Sequence, residues 1–222
     1  MKVKDFLIPY SFKERRPYLS ESLLSVPRHY FEHDSFDFDL DSIFPKKQEV
    51  QIEYCSGNGD WIIEKAETMP HVNFIAVERR LDRIRKIWKK ARVRDLKNLF
   101  IVFGDAEPFT ESYLPEESLS KSYINFPDPW PKKKHAKNRI VRPDFINTLL
   151  SRLKPGGEAI FVTDDAVYKD QMIEVMLANP FFESKFSDPY YTTNWPDYGG
   201  SYFQDLFIQK GLHIHYLCFI KK

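Results

Sequence analysis

The run Asn125-Phe-Pro-Asp-Pro-Trp-Pro-Lys-Lys-Lys-His135 places one carboxylate, Asp128, between two prolines and then adds three consecutive lysines. Proline fixes φ at about −65° and steers the residue before it away from the helical region, so the run predicts a stiff, non-helical loop. The apolar stretch Ser122-Tyr-Ile-Asn-Phe126 just upstream reads as the end of a buried strand. An acid held stiffly at a strand's carboxyl end, beside a dense cationic patch, suits a site that receives a polyanion at a set angle. Nucleic-acid chemistry is the reading this favours. Asp128 can also act simply as a loop cap, and Trp130 can either stack on a base or seal the sheet edge. Lys132, Lys133, Lys134, Lys137, Arg139 and Arg142 are candidate phosphate contacts. His135 suits packing or a phosphate contact better than base catalysis.

A second group of acids sits where a small ligand would meet a sheet. Ser56-Gly-Asn-Gly59 lies between a strand and a helix, and Gly57 and Gly59 would let a ligand approach the backbone closely. Such a turn also needs glycine for ordinary steric reasons. Glu78 ends the next strand, 25 residues after Glu53, and can accept hydrogen bonds from both hydroxyls of a ribose. Asp105, after a third strand, can accept one from an adenine amino group. A dinucleotide site keeps a Gly-x-Gly-x-x-Gly turn to pass its pyrophosphate. Here Cys55 fills the first glycine-like place and no third glycine follows at that offset. An acid at Glu53 fits poorly beside phosphates and suits a cationic cofactor with a free amino group, such as S-adenosylmethionine; otherwise Glu53 caps the helix. A nicotinamide dehydrogenase is disfavoured on the same grounds.

The elements that must position these residues are read from periodicity. Strands are predicted at Glu49–Tyr54, Val72–Val77, Leu99–Phe103, Tyr123–Phe126 and Glu158–Thr163, with a terminal strand within residues 212–220. Asp60 is positioned to cap a helix over Trp61–Glu67. Leu81, Ile84, Ile87, Trp88 and Ala91 define one apolar helical face. Phe145, Leu149, Leu150 and Leu153 mark another helix, stopped by Pro155-Gly-Gly157, and Met172, Ile173, Met176 and Leu177 a third. Strands separated by helix-length segments predict a doubly wound α/β domain over residues 48–222, which binds ligands at the carboxyl ends of its strands. Glu53, Glu78, Asp105, Asp128 and Asp164 all fall at or near such ends. Residues 1–47, with four prolines and no sustained period, are expected to be irregular and to pack on the core or touch substrate.

A chain of 222 residues can bury about 70% of its unfolded surface, enough for one substantial core. A hydrophobic content of 42% excludes a wholly disordered chain, and no apolar run is long enough for a membrane helix. Cys55 and Cys218 are too few for a disulfide framework or a zinc site, so no metal is expected. With no secretory signal in the first residues, a cytoplasmic setting is expected. The net charge of +1 hides segregation: Arg79–Asn98 holds ten Lys/Arg against two acids, and Pro131–Lys154 eight against one. Glu32–Asp41 and Asp105–Glu117 carry five acids each. The second basic block adjoins the acid loop, which favours it as a polyanion footprint; the first reads either way, as a solvated helix face or a second patch.

At Glu53-Tyr-Cys-Ser-Gly-Asn-Gly59, Asn125 to Arg139 and Leu153-Lys-Pro-Gly-Gly157 the chain resembles the bacterial tRNA (guanine-N7)-methyltransferase family, from about residue 49 onward. NFPDPWPKKKHAKNR is the most specific element. The resemblance implies the class I, Rossmann-like methyltransferase fold: a doubly wound, mostly parallel seven-stranded sheet with an antiparallel C-terminal strand. It implies transfer of a methyl group from S-adenosylmethionine to N7 of a guanine in the tRNA variable loop. Matched by motif, Glu53, Glu78, Asp105 and Asp128 correspond to cofactor-binding acids, and Lys132, Asp164, Ser201 and Gln204 to tRNA-contacting positions. Four positions depart from the family pattern: Cys55 replaces a glycine, Asn138 an arginine, and Ser201 with Gln204 the closing Thr-x-x-Glu. Guanine N7 carries a lone pair and no proton, so placement rather than general-base catalysis is the main task. Asp128 is the expected catalytic residue, offsetting positive charge on the purine. The rival expectations are a non-catalytic RNA-binding module and a methyltransferase acting on another RNA. Whether the chain is a monomer or a homodimer is left open by the sequence.

Overall fold

The computed structural model describes residues 16–20, 22–28, 32–198, 209, 211 and 213–222, leaving aside the side chains at 133 and 197. Its contacts divide the chain into two compact units, 1–115 and 116–222. Ser201 and Gln204 lie outside the described residues.

In the first unit, β1 (Tyr18–Ser20) and β2 (Leu23–Ser25) precede β3 (Glu49–Tyr54), α1 (Asp60–Thr68), β4 (Val72–Glu78), α2 (Leu81–Val93), β5 (Leu99–Phe103) and α3 (Ala106–Ser112). The strand order is β1-β2-β5-β4-β3. β2, β5, β4 and β3 run parallel, and β1 is antiparallel to β2. β4 is buried at every position and β3 at all but Glu49, the continuous burial expected of parallel strands covered on both faces. Helix α1 buries Trp61, Ile62, Ile63 and Ala66, and α2 buries Ile84, Ile87, Trp88 and Ala91. Each fully buried Ile or Phe of this core contributes about 1.5–3 kcal/mol.

Two expectations are corrected here. Residues 18–20 and 23–25 form β1 and β2 where irregular chain is predicted: β5 offers β2 a backbone edge to pair with, and β2 in turn pairs with β1. Further along the same segment, the Phe38 ring packs on Phe100, Phe109 and Tyr113, and His33 Nδ1 lies 2.9 Å from the Tyr113 hydroxyl. Asp60 does not cap α1. It is the first helical residue, Gly59 holds the cap position at φ +76°, and the Asp60 carboxylate pairs with Lys90 of α2.

In the second unit, β6 (Leu119–Asn125), α4 (Pro143–Arg152), β7 (Leu153–Thr163), α5 (Ala166–Leu177), β8 (Phe182–Ser184) and β9 (His215–Lys221) give the order β6-β7-β9-β8. β6 and β7 are parallel, while β9 is antiparallel to both β7 and β8. Pro143 opens α4, where its missing N–H costs nothing. Leu153 starts a strand rather than ending the helix. The Pro155-Gly-Gly157 stretch is a bulge, with pairing jumping from Leu119↔Leu153 to Lys121↔Glu158. A Cβ at Gly157 would come within 2.9 Å of the Lys154 carbonyl oxygen, so this crossing requires glycine. Nine strands are present among the described residues: the seven expected, plus β1 and β2. The fold is a doubly wound, mostly parallel α/β architecture with an antiparallel C-terminal strand.

One buried amide ties the first unit together. Asn98 Nδ2 donates to the carbonyls of Ala66 and Val72 at 2.9 and 2.8 Å, and the Asn98 main-chain carbonyl accepts from Phe74 N at 2.7 Å. Asn98→Leu leaves two buried carbonyls unsatisfied and should destabilise the protein by about 2–4 kcal/mol in urea unfolding. A change below about 0.5 kcal/mol, the range of a neutral surface substitution, would show that water replaces the amide.

Candidate active site

In the first unit, the carboxyl ends of three parallel strands carry the acids that the sequence singles out. Glu53 and Glu78 are 2% and 4% exposed, an unusual depth for carboxylates. Glu78 is held by backbone donors: Oε1 accepts from Arg79 N and Arg80 N, and Oε2 from Gly57 N, all at 2.9 Å. Arg83 Nη1 lies 3.4 Å from Oε2. The carboxylate expected to receive a ribose is thus itself a structural tie between the glycine turn and the start of α2. The Arg83 contact is the longest of the four.

The turn is set by backbone conformation. Cys55, Gly57 and Gly59 stand at φ +62°, +56° and +76°. A Cβ on Gly59 would approach Ile87 Cγ1 to 2.7 Å, so Gly59 serves helix packing directly. Lys86 and Lys90 of α2 bind Asn58 through its side-chain and main-chain oxygens at 3.1 and 2.8 Å. Ser56 Oγ donates to the Glu53 carbonyl at 3.0 Å. Asp105 occupies the cap position of α3, yet its side chain makes no cap bond and pairs with Arg28 instead.

This set fits S-adenosylmethionine. Two deeply buried carboxylates beside a backbone turn disfavour a pyrophosphate and favour a cationic ligand with hydroxyl and amino donors.

In the second unit, Asn125 pairs with Val162, so the Asp128 loop and Asp164 leave the same edge of the β6–β7 pair. Asp128 is exposed and Pro127 is buried. Phe126 and Trp130, two residues to either side of Asp128, adopt φ +46° and +44°. Bulky side chains rarely take that conformation, at a cost of roughly 1–3 kcal/mol each. The loop is anchored by Phe126 N donating to the Val162 carbonyl at 2.8 Å and by Arg139 Nε donating to the Pro129 carbonyl at 2.7 Å. Trp130 packs edge-on against His135 at 5.8 Å.

Arg139 is therefore an internal brace. Its Nη1 donates to Gln171 Oε1 at 3.0 Å and its guanidinium lies 4.8 Å from the Tyr168 ring centroid, which ties the acid loop to α5. Lys132, Lys134 and Lys137 stand exposed, with no carboxylate partner among the described residues. Asp164 is half-buried after β7, and its neighbour Asp165 caps α5 by accepting from Tyr168 N at 2.7 Å. Opposite Thr163, burial together with Lys169 and His213 holds the His215 imidazole below its ordinary pKa of 6.5, so it favours the neutral form.

The first basic block behaves differently. Arg80, Arg83, Lys90, Arg94 and Lys97 each have a carboxylate partner, which blunts that face as a polyanion footprint. Burial pushes the Cys218 thiol up to about 12, so it is not a nucleophile. Sequence reasoning missed Arg28 beside Asp105 and Arg83 on Glu78. Arg28 precedes Asp105 by 77 residues, and only the β2–β5 pairing brings them together.

Solved structures show the same architecture. The chain superposes on the 16S rRNA methyltransferase KamB with a TM-score of 0.58, covering 84% of this chain and 95% of that one at 12% identity. The antibiotic-resistance methyltransferase Kmr gives a TM-score of 0.56, covering 82% and 91% at 19% identity. The fold is that of the class I methyltransferases. Residues 47–197 match the methyltransferase family Methyltransf_4, described as "Putative methyltransferase". The chain is 40% identical to the tRNA (guanine-N(7)-)-methyltransferase of Chlamydia pneumoniae, covering 100% of this chain and 99% of the relative. It is 36% identical to that of Chromohalobacter salexigens, over 65% of this chain and 59% of the relative. The chain belongs to the tRNA (guanine-N(7)-)-methyltransferase family.

The strained turn yields a prediction. Cys55 is exposed and left-handed, where glycine is free of steric cost. Cys55→Gly should raise unfolding stability by about 0.5–1 kcal/mol despite the greater entropy of its unfolded chain, read from urea midpoints at constant m-value. A fall in midpoint would mean that the thiol makes contacts worth more than the strain.

Proposed function

We propose that this chain transfers the methyl group of S-adenosylmethionine to N7 of a guanine in tRNA, at a base in the variable loop. The observation that carries the reading is Asp128, held between two left-handed residues next to exposed Lys132 and Lys134, in a chain 40% identical end to end to an enzyme of that name. In this reading residues 48–222 form the methyltransferase domain, 1–47 an extension, and the protein works in the cytoplasm.

Glu53, Gly57, Gly59, Glu78, Asp105 and Asp128 would hold S-adenosylmethionine. When bound, the cofactor supplies an electrophilic methyl on a sulfonium. Glu53 and Glu78 provide negative charge and acceptors in a buried setting, where each is stronger than in water. Asp128 orients the purine and offsets the positive charge that develops when N7 is alkylated. Its braced backbone keeps reorganisation small during that step. No base is needed, because N7 has no proton to lose. Lys132, Lys133 and Lys134 contact tRNA phosphates. Arg139 supports the reaction through the loop it braces. Ser201 contacts the tRNA, and Asp164 and Gln204 orient the guanine, Gln204 with an amide where the family carries a carboxylate.

The direct test is incubation of unmodified tRNA with radiolabelled S-adenosylmethionine, followed by nucleoside mapping; label in 7-methylguanosine at one variable-loop position is expected. Label in rRNA alone, or cofactor binding without transfer to any tRNA, would overturn the reading. Replacing Lys132, Lys133 and Lys134 together with glutamine should weaken tRNA binding and flatten the plot of log affinity against log salt by about 2 units of slope. An unchanged slope would move the phosphate footprint elsewhere.

A further inference from the structure

The first unit contains an ion pair whose position is set by strand register rather than by surface chance. β2 runs parallel to β5 with Ser25 opposite Phe103, and Val26 N donates to the Phe103 carbonyl at 2.8 Å. The next residue of β5's exit, Gly104, is pressed against this strap: a Cβ there would meet the Val26 carbonyl oxygen at 2.7 Å. The strap is thereby fixed up to the doorstep of Asp105, and Arg28, two residues on from Val26, places Nε 3.5 Å from Asp105 Oδ2. The carboxylate is 27% exposed and makes no bond to the helix it precedes. An acid at a helix cap ordinarily turns back to the free N–H groups of the first turn. Here it lies instead beside the guanidinium of Arg28, a side chain that is 72% exposed.

We infer that Arg28 is a positioning residue for recognition of the cofactor's adenine: it engages Oδ2 of Asp105 and presents Oδ1 to the exocyclic amino group. This rests on the reading of Asp105 as the adenine acceptor, and extends it by giving the N-terminal strap a part in cofactor specificity. A carboxylate has two oxygens and can serve both donors at once. The single Nε–Oδ2 approach places a positive charge beside one carboxylate oxygen and biases which oxygen is left for the ligand. The ligand feature recognised is a 6-amino purine as against a 6-oxo purine, which offers an acceptor where the amino group donates. Discrimination of this kind depends on a correctly aimed acceptor, since the wrong base leaves like partners facing each other.

The experiment is calorimetric titration of the full chain with S-adenosylhomocysteine and with its 6-oxo counterpart, S-inosylhomocysteine. Parent, Arg28→Met, Arg28→Lys and Asp105→Ala are compared, with thermal unfolding confirming that each folds. The parent should prefer the adenosyl ligand. Arg28→Met should shrink the preference by roughly two- to fivefold, the scale of a solvent-exposed ion pair, chiefly through weaker adenosyl binding. Arg28→Lys should recover part of it, and Asp105→Ala should abolish it. A parent-like ratio in Arg28→Met, with the ratio lost in Asp105→Ala, overturns the role of Arg28 alone. A larger ratio in Arg28→Met also overturns it, because Arg28 would then be masking the acid. A parent-like ratio in Asp105→Ala removes Asp105 as the adenine acceptor, and the inference falls with it.

Discussion

Phe126 and Trp130 stand at φ +46° and +44° on either side of Pro127-Asp128-Pro129, and the proposed chemistry depends on the structure that keeps them there. Two bulky left-handed residues in five are a stored cost, which the unit must offset through anchors on both flanks. The strand side supplies the hydrogen bond from Phe126 N to Val162, and the helix side supplies Arg139, which grips the Pro129 carbonyl while it lies against Tyr168 and Gln171. The carboxylate between them is exposed but its backbone has few alternatives. A group that must meet developing charge benefits from that, since little free energy is spent on reorientation during the reaction.

The electrostatic plan of each unit follows its backbone. In the first, parallel strands end in acids, and the most buried of them, Glu53 and Glu78, sit beside a turn that exposes main chain. Glu78 already accepts from three backbone N–H groups, so it is a structural fastener as well as a candidate ligand contact. In the second, the cations divide by role. Arg139 is consumed internally, whereas Lys132, Lys134 and Lys137 face solvent. Sequence proximity alone does not separate a brace from a phosphate contact. The same distinction explains why the basic stretch after Glu78, the richer of the two in Lys and Arg, is the poorer candidate for a polyanion.

Burial was the legible part of the sequence. Glu49–Tyr54 and Leu99–Phe103 appear with the expected bounds, the second because a strand covered on both faces can be apolar throughout, the first because Val50, Ile52 and Tyr54 recur at every second position. The apolar stripe of α2 was equally plain. What periodicity cannot carry is backbone chirality and long-range pairing. Positive φ at Phe126 and Trp130 follows from anchors at Val162 and Arg139, not from those residue types, which ordinarily avoid it. β1 and β2 are three residues each; β2 takes its conformation from pairing with β5, and β1 from pairing with β2. Leu153 carries the helical spacing of α4 yet begins β7, since the Gly156–Gly157 bulge lets the chain turn directly into the sheet. Asp60 has the chemistry of a cap but is drawn to Lys90 by the packing of α1 on α2.

The most direct measurement is single-turnover methyl transfer to tRNA by Asp128→Asn at saturating cofactor and RNA. The substitution keeps the side-chain shape and removes only the charge. The account requires a rate lower by roughly 100-fold or more, the scale for losing one preorganised electrostatic group, with unfolding stability unchanged. A rate equal to that of the parent would contradict it and leave the braced loop as scaffold alone.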